Sequence, residues 1–373
     1  MMLRISTLLF AVLCFGIILT GCSSHESYPD SESASQYYNA DFVMYTMNKA
    51  LYFAFDEEDE VKLLHQRQTD YDCAFLADYF AETENYWYTV TSEKTANEYQ
   101  IVQINKMTLT EKLSDVIADG GYSAMGIWNE TCVHAVTAPH YYTLVQQNED
   151  LDVVQSRTFR DDTRTVIVLD VCCIGDFLYV LLGDESLHQW IQVLDPDMNE
   201  AAVYEKPEEY ATVLRMTADG QCIWLSETNT RQKRKQDLQP AYRIIRFDPD
   251  TGVFGKEIIT LSNGYPKALR YDQKQNVLLI THEELSLEDA VWTMYDLDTD
   301  REEVFKLSDI GVDAAQLPVL PFAAAGSDGA WYYMADGFLY RIRMEEGIVK
   351  KWDLSRYNDL YPHAIVFKTK QTQ

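Results

Sequence analysis

Apolar and polar side chains alternate in short runs along most of this chain, and turn residues rather than long loops separate the runs. The clearest case lies near the C-terminus. Trp331-Tyr332-Tyr333-Met334 is aromatic and strand-prone, Ala335-Asp336-Gly337 is a tight turn, and Phe338-Leu339-Tyr340-Arg341-Ile342-Arg343 alternates apolar with polar. Met344-Glu345-Glu346-Gly347 then returns the chain into Ile348-Val349-Lys350-Lys351-Trp352, which predicts an antiparallel meander. The same pattern recurs without a gap from Val43 to Gln66. Aligned on Trp331 to Leu354, its Tyr45, Leu51, Tyr52, Glu57, Glu58, Val61 and Lys62 fall on identical residues. Looser copies fill the interval, so the chain reads as a repeat array.

Each repeat holds four predicted strands, with first strands at Cys73–Phe80, Tyr122–Trp128, Thr165–Cys173, Ala211–Thr217, Tyr265–Tyr271 and Leu317–Ala324. These begin roughly 45 to 55 residues apart, the spacing of propeller blades rather than of solenoid coils. The first unit has only three strands, whereas Leu360-Tyr361-Pro362-His363-Ala364-Ile365-Val366-Phe367 is left over after the seventh and matches Tyr265–Tyr271. The expected fold is therefore all-β, a seven-bladed β-propeller over 39–373, closed by a C-terminal strand that completes the first blade and leaves no free edge in the ring.

Asp195-Pro196-Asp197, Asp248-Pro249-Asp250-Thr251-Gly252 and Asp296-Leu297-Asp298-Thr299-Asp300 fall between third and outer strands. They resemble the D-x-D-T-G hairpin turns of quinoprotein-like and YVTN/NHL-type propellers. As calcium loops they fail, since the last has Arg301 and Leu307 where an EF-hand needs Gly and a bidentate Glu. The WD dipeptide, the kelch double glycine and the repeated Trp pattern of quinone-binding propellers are missing, so no cofactor is expected.

The first residues carry an address. Arg4 precedes an apolar run from Ile5 to Thr20 that is short for a membrane span, and the run ends in Leu19-Thr20-Gly21-Cys22. That tetrad resembles the lipobox of bacterial lipoproteins, which implies a signal peptide over 1–21, cleavage before Cys22 and an acyl anchor (palmitate or a similar chain) on its thiol. Residues 22–38, rich in Ser and acids, then read as a flexible tether. The expected location is outside the cytoplasm, on the bacterial cell membrane or outer membrane.

The formal charge of -28 becomes one more negative once Arg4 leaves with the leader, and such a surface repels nucleic acid. Beyond Cys14 and Cys22, Cys73, Cys132, Cys172, Cys173 and Cys222 sit mostly in apolar runs with no zinc spacing, and read as buried small hydrophobes.

Candidate chemistry is sparse. The seven histidines, at 25, 65, 134, 140, 188, 282 and 363, form no metal-ligand pair, and His282 before Glu283 and Glu284 reads as a solvated strand end. Gly121–Gly126 is one residue too long for a G-x-S-x-G elbow. No catalytic or metal-binding residue is therefore assigned. Arg231, Lys233, Arg234 and Lys235 form a basic loop, against the sign of the whole protein, and suggest either a latch to the acidic 283–289 segment or docking of an anionic partner. Tyr71, Tyr122, Tyr210, Tyr265 and Tyr361 stand at the starts of first strands, with His363 beside the last. They would either ring one channel mouth as a platform for a glycan or peptide or wedge adjacent blades apart. The function expected is a monomeric, non-catalytic binding or scaffolding propeller on the envelope, with a layout similar to the lipoprotein propeller of outer-membrane assembly. The alternative is an extracytoplasmic lyase or hydrolase with its site at the channel mouth.

Overall fold

The computed structural model describes residues 39–46, 48–69, 71, 80–91, 98–117, 120–229, 240–282, 291–310, 324–335, 337–343, 346–357 and 364–369. Seven four-stranded antiparallel sheets follow one another, and in each the strands lie side by side in meander order. Blade 3 is representative, with Gly121–Trp128 innermost, then Thr131–Ala138, Tyr141–Gln147 and Val153–Arg160. Consecutive innermost strands pack on one another, Gly121–Trp128 on Val166–Ile174, that on Thr212–Ala218, and that on Pro266–Asp272, which puts them around a common axis. The molecule is a seven-bladed propeller.

Closure is made by the strand expected to make it. Ala364–Phe367 lies against Phe42–Tyr45 as the innermost strand of blade 1, pairing Phe42 with Phe367 and Tyr45 with Ala364. Two expected inner strands fall mainly outside the described residues, and only Ala81–Glu82 and Ala324–Ala325 are seen as strand in blades 2 and 7. Residues 1–38 lie outside them too, among them the leader, Cys22 and the tether, as do Tyr361, His363 and the loop from Arg231 to Lys235.

The core is divided among the seams. Seven buried apolar clusters occur, one between each pair of adjacent blades, and that between blades 7 and 1 joins Phe42, Met44 and Phe53 to Tyr332, Leu339 and Trp352. Burial of each such side chain contributes about 1.5 to 3 kcal/mol, so no single seam holds the ring alone.

The turns between third and outer strands of blades 1 to 6 share one design. In each of the six, an Asx carboxylate or amide oxygen accepts backbone N–H groups two and three or four residues on, as Asp195 does from Asp197 at 3.0 Å and Asn199 at 2.7 Å. The following left-handed position is Asp59, Leu109, Leu151, Met198, Gly252 or Asp300. Leu109, Leu151 and Met198 are buried in the seam with the preceding blade, and that contact offsets a backbone conformation costing about 1 kcal/mol or more for a residue with a Cβ. The turns singled out in the sequence thus prove to be three members of a set that also includes Asp56, Asn105 and Asn148.

Blade 1 uses the same position ionically. Asp59 receives both terminal nitrogens of Arg341 at 3.1 and 3.2 Å, its carboxylate also takes Lys350 at 3.2 Å, and its carbonyl accepts Trp352 Nε1 at 2.7 Å. The seam at which the ring closes is therefore latched by charge as well as by the strand.

Candidate functional site

The innermost strands define the site available to a ligand, and their backbone is irregular. In blades 3, 4, 5 and 6 the pairing between first and second strands slips, at Tyr122/Ala124, Val168/Asp170, Val213/Met216 and Pro266/Leu269. Each bulge frees peptide groups that need partners. Side chains supply them. Ser226 Oγ accepts from Arg215 N at 3.1 Å and donates to Lys267 O at 2.8 Å in the next blade, and Thr281 Oγ1 accepts from Ala268 N at 3.1 Å. Asp170 accepts from Val171 N at 2.9 Å and from Met216 N at 2.8 Å across the seam, and Arg215 donates to Leu169 O at 2.5 Å. Polar groups at the centre are thereby used to stitch blades together.

One interaction crosses the channel. Arg270, on the inner strand of blade 6, is ion-paired with Glu82, on the inner strand of blade 2, and these blades are not neighbours. The guanidinium lies 5.2 Å from the Phe80 ring centroid and 5.9 Å from that of Trp331. Lys106 completes the group, 3.8 Å from the Glu82 carboxylate and donating to Thr83 O at 3.1 Å. Burial lowers the Lys106 pKa, with Glu82 opposing and Arg270 adding to the effect.

The tyrosines at strand starts have divided roles. Tyr71 is buried and its hydroxyl donates to Glu111, which also takes Tyr45 Oη at 2.6 Å and pairs with Arg67 between blades 1 and 2. Tyr122 packs edge-on against Tyr99 at 5.4 Å between blades 2 and 3. Tyr210 is buried between blades 4 and 5, and a Cβ at Gly255, where φ is +74°, would overlap its hydroxyl. These three pack between adjacent blades, in the wedge arrangement of the two that the sequence left open. Tyr265 is half-buried, as Tyr122 is. Beside it, Gly264 lies so close to Pro240 and Tyr242 that a Cβ there would sit 2.6 Å from Pro240 Cβ. The sequence reading did not single out Tyr242, which is 42% exposed, nor Leu187, which is 49% exposed. Both stand with Tyr265 on the face opposite the third-to-outer turns.

Two histidines are structural. His282 is buried, with Nδ1 2.8 Å from Gly264 O and Nε2 2.9 Å from Thr293 Oγ1, so it is not the solvated strand end expected. Both ring nitrogens already have protein partners, which suits a neutral ring. Burial lowers its pKa to about 4, and does the same to His134, which contacts Tyr99 Oη at 3.3 Å. In blade 5, buried Glu227 accepts Ala211 N and pairs with Arg243 through two nitrogens. Among the described residues no group of three or more His, Cys, Asp and Glu is placed to hold a metal ion.

This geometry defines a propeller whose channel is cross-braced and whose two faces both carry exposed apolar side chains, Leu187 and Tyr242 on one and Phe177 and Val253 on the other. Compared with known proteins, the chain matches no family model and no curated sequence. Among solved structures it is similar to a functionally unknown protein from Desulfotomaculum acetoxidans DSM 771, with a TM-score of 0.56, 10% identity, and 88% of this chain and 99% of that one covered. That likeness shows the fold alone. It is also similar to a protein of unknown function from Bacteroides caccae (TM-score 0.44, 10% identity, 68% of this chain and 89% of that one). The WD40 domain of Neurospora crassa Pan2 matches at a TM-score of 0.45 with 10% identity, over 71% of this chain and 76% of that one.

Proposed function

We propose that this chain is a lipid-anchored envelope protein whose propeller binds a protein, peptide or glycan without transforming it. The observation that carries the reading is the contrast between centre and face. At the centre, Asp170, Glu82 and Arg270 are held in contacts that join blades, while Leu187, Tyr242 and Tyr265 stand together on one face. A rigid amphipathic ring with a polar tip is suited to stacking and hydrogen bonding at little entropic cost. A ring of blades holds such residues on a platform that does not have to be ordered on binding.

The test places a photoreactive amino acid at Tyr242 in the full-length protein in its native envelope, with the exposed Val154 on an outer strand as control. A discrete adduct is expected at Tyr242 and not at Val154, and Leu187→Asp should remove it without lowering Tm. Equal labelling at the two positions, or none at either, would contradict a binding face there.

A further inference from the structure

Three features of the ring coincide on one face. Six third-to-outer turns lie there, within 56–60, 105–110, 148–152, 195–199, 248–252 and 296–300, and carry fifteen carboxylates; Asp56, Asp59, Glu60, Asp150 and Asp248 pair with cations on neighbouring strands, and the remainder leave the face acidic. Backbone N–H groups of its turn hold Asp195 below the usual carboxylate range, Lys256 does the same for Asp248, and with Lys62 beside it Asp56 is lowered to about 2, so these three stay charged at any ordinary pH. The chain also enters on this face. Asp41 accepts from Phe55 N at 2.8 Å just before the 56–60 turn, Lys368 N donates to Asp41 O at 2.8 Å, and Thr369 N donates to Lys106 O at 2.8 Å. Finally, the pair Arg270–Glu82 crosses the channel beside Lys106, at the mouth on this side.

We infer that the propeller stands over the bilayer on this acidic, cross-braced face and turns the opposite face, with Leu187, Tyr242 and Tyr265, toward its partner. The inference rests on the anchor at Cys22. Attachment at Asp41 makes this face the near one, because a Ser- and acid-rich segment as long as 22–38, if it behaves as a random coil, spans only about 20 to 25 Å on average. The carboxylates act against contact rather than attachment. They are repelled by anionic headgroups over a screening distance of about 8 Å at physiological salt, so the face is held off the surface, and further off as salt falls.

The orientation is read with the full-length lipidated chain on vesicles of phosphatidylcholine and phosphatidylglycerol that carry a lipid-bound quencher. A fluorophore is attached to Asp197→Cys, exposed on a third-to-outer turn of blade 4, or to Glu185→Cys, exposed at the other end of the same blade. The unsubstituted chain serves as the labelling blank, since the described cysteines are buried or half-buried. Quenching is expected to be stronger at position 197 than at 185, and to rise at 197 as salt increases. Equal or reversed quenching on a chain whose mass shows the lipid overturns the orientation alone, and loss of the salt effect overturns the standoff. A chain that carries no lipid and binds no vesicles removes the anchor, and the orientation with it.

Discussion

Single side chains decide how this propeller responds to pH. His134 and His282 are buried and neutral, with pKa values lowered by burial to about 4, whereas in the unfolded chain they titrate near about 6.5. Between those values the unfolded chain binds protons that the folded one does not, so stability is full above about pH 6.5 and falls as the pH drops toward 4, by roughly 3 kcal/mol for each histidine at most. Tm measured from pH 7 to 5 should fall, and His134→Gln with His282→Gln should flatten that slope; an unchanged slope would contradict the buried neutral rings. Glu227 makes a second residue-scale case. Glu227→Gln leaves Arg243, whose side chain is 36% exposed and can turn to water, without its charge partner, and should cost about 1 to 2 kcal/mol in denaturant unfolding. Neither role was legible from sequence. His282 precedes two glutamates, which suggests solvent, and only the packing of Gly264 and Thr293 around the ring shows otherwise.

At the scale of strands and turns much was legible, because alternation with a period of two survives wherever one face of a strand is buried in a seam. The match between Leu360–Phe367 and Tyr265–Tyr271 foretold the closing strand seen at Ala364–Phe367. Truncation after Tyr357 should expose the edge of Phe42–Tyr45 and cost several kcal/mol, for the four buried side chains of the lost strand. A truncated protein with unchanged Tm and no aggregation would contradict the closure. The direction of the strand-start tyrosines was illegible for a physical reason. Bulges lie at the first strands of four blades, and a shift of one residue turns a side chain from channel to seam. The pair Arg270–Glu82 was equally hidden, since two residues so far apart in sequence meet only when the ring has closed.

For the whole molecule, the fold is a seven-bladed ring, and the envelope address proposed for it rests on the first residues. The blades account for why a chain this acidic stays folded. Its carboxylates are spread over solvent-facing turns, many of them engaged by backbone N–H groups, while the buried apolar clusters lie in the seams. The proposed attachment and orientation both depend on Cys22 carrying the lipid. The most direct measurement is the intact mass of the mature protein purified from membranes, with fragmentation of its N-terminus. The account predicts a chain beginning at Cys22 with acyl mass on that residue, and a Cys22→Ala variant that remains an unlipidated precursor. A mature chain that begins elsewhere, or a Cys22→Ala protein that still reaches the mature mass in the detergent phase, would contradict it.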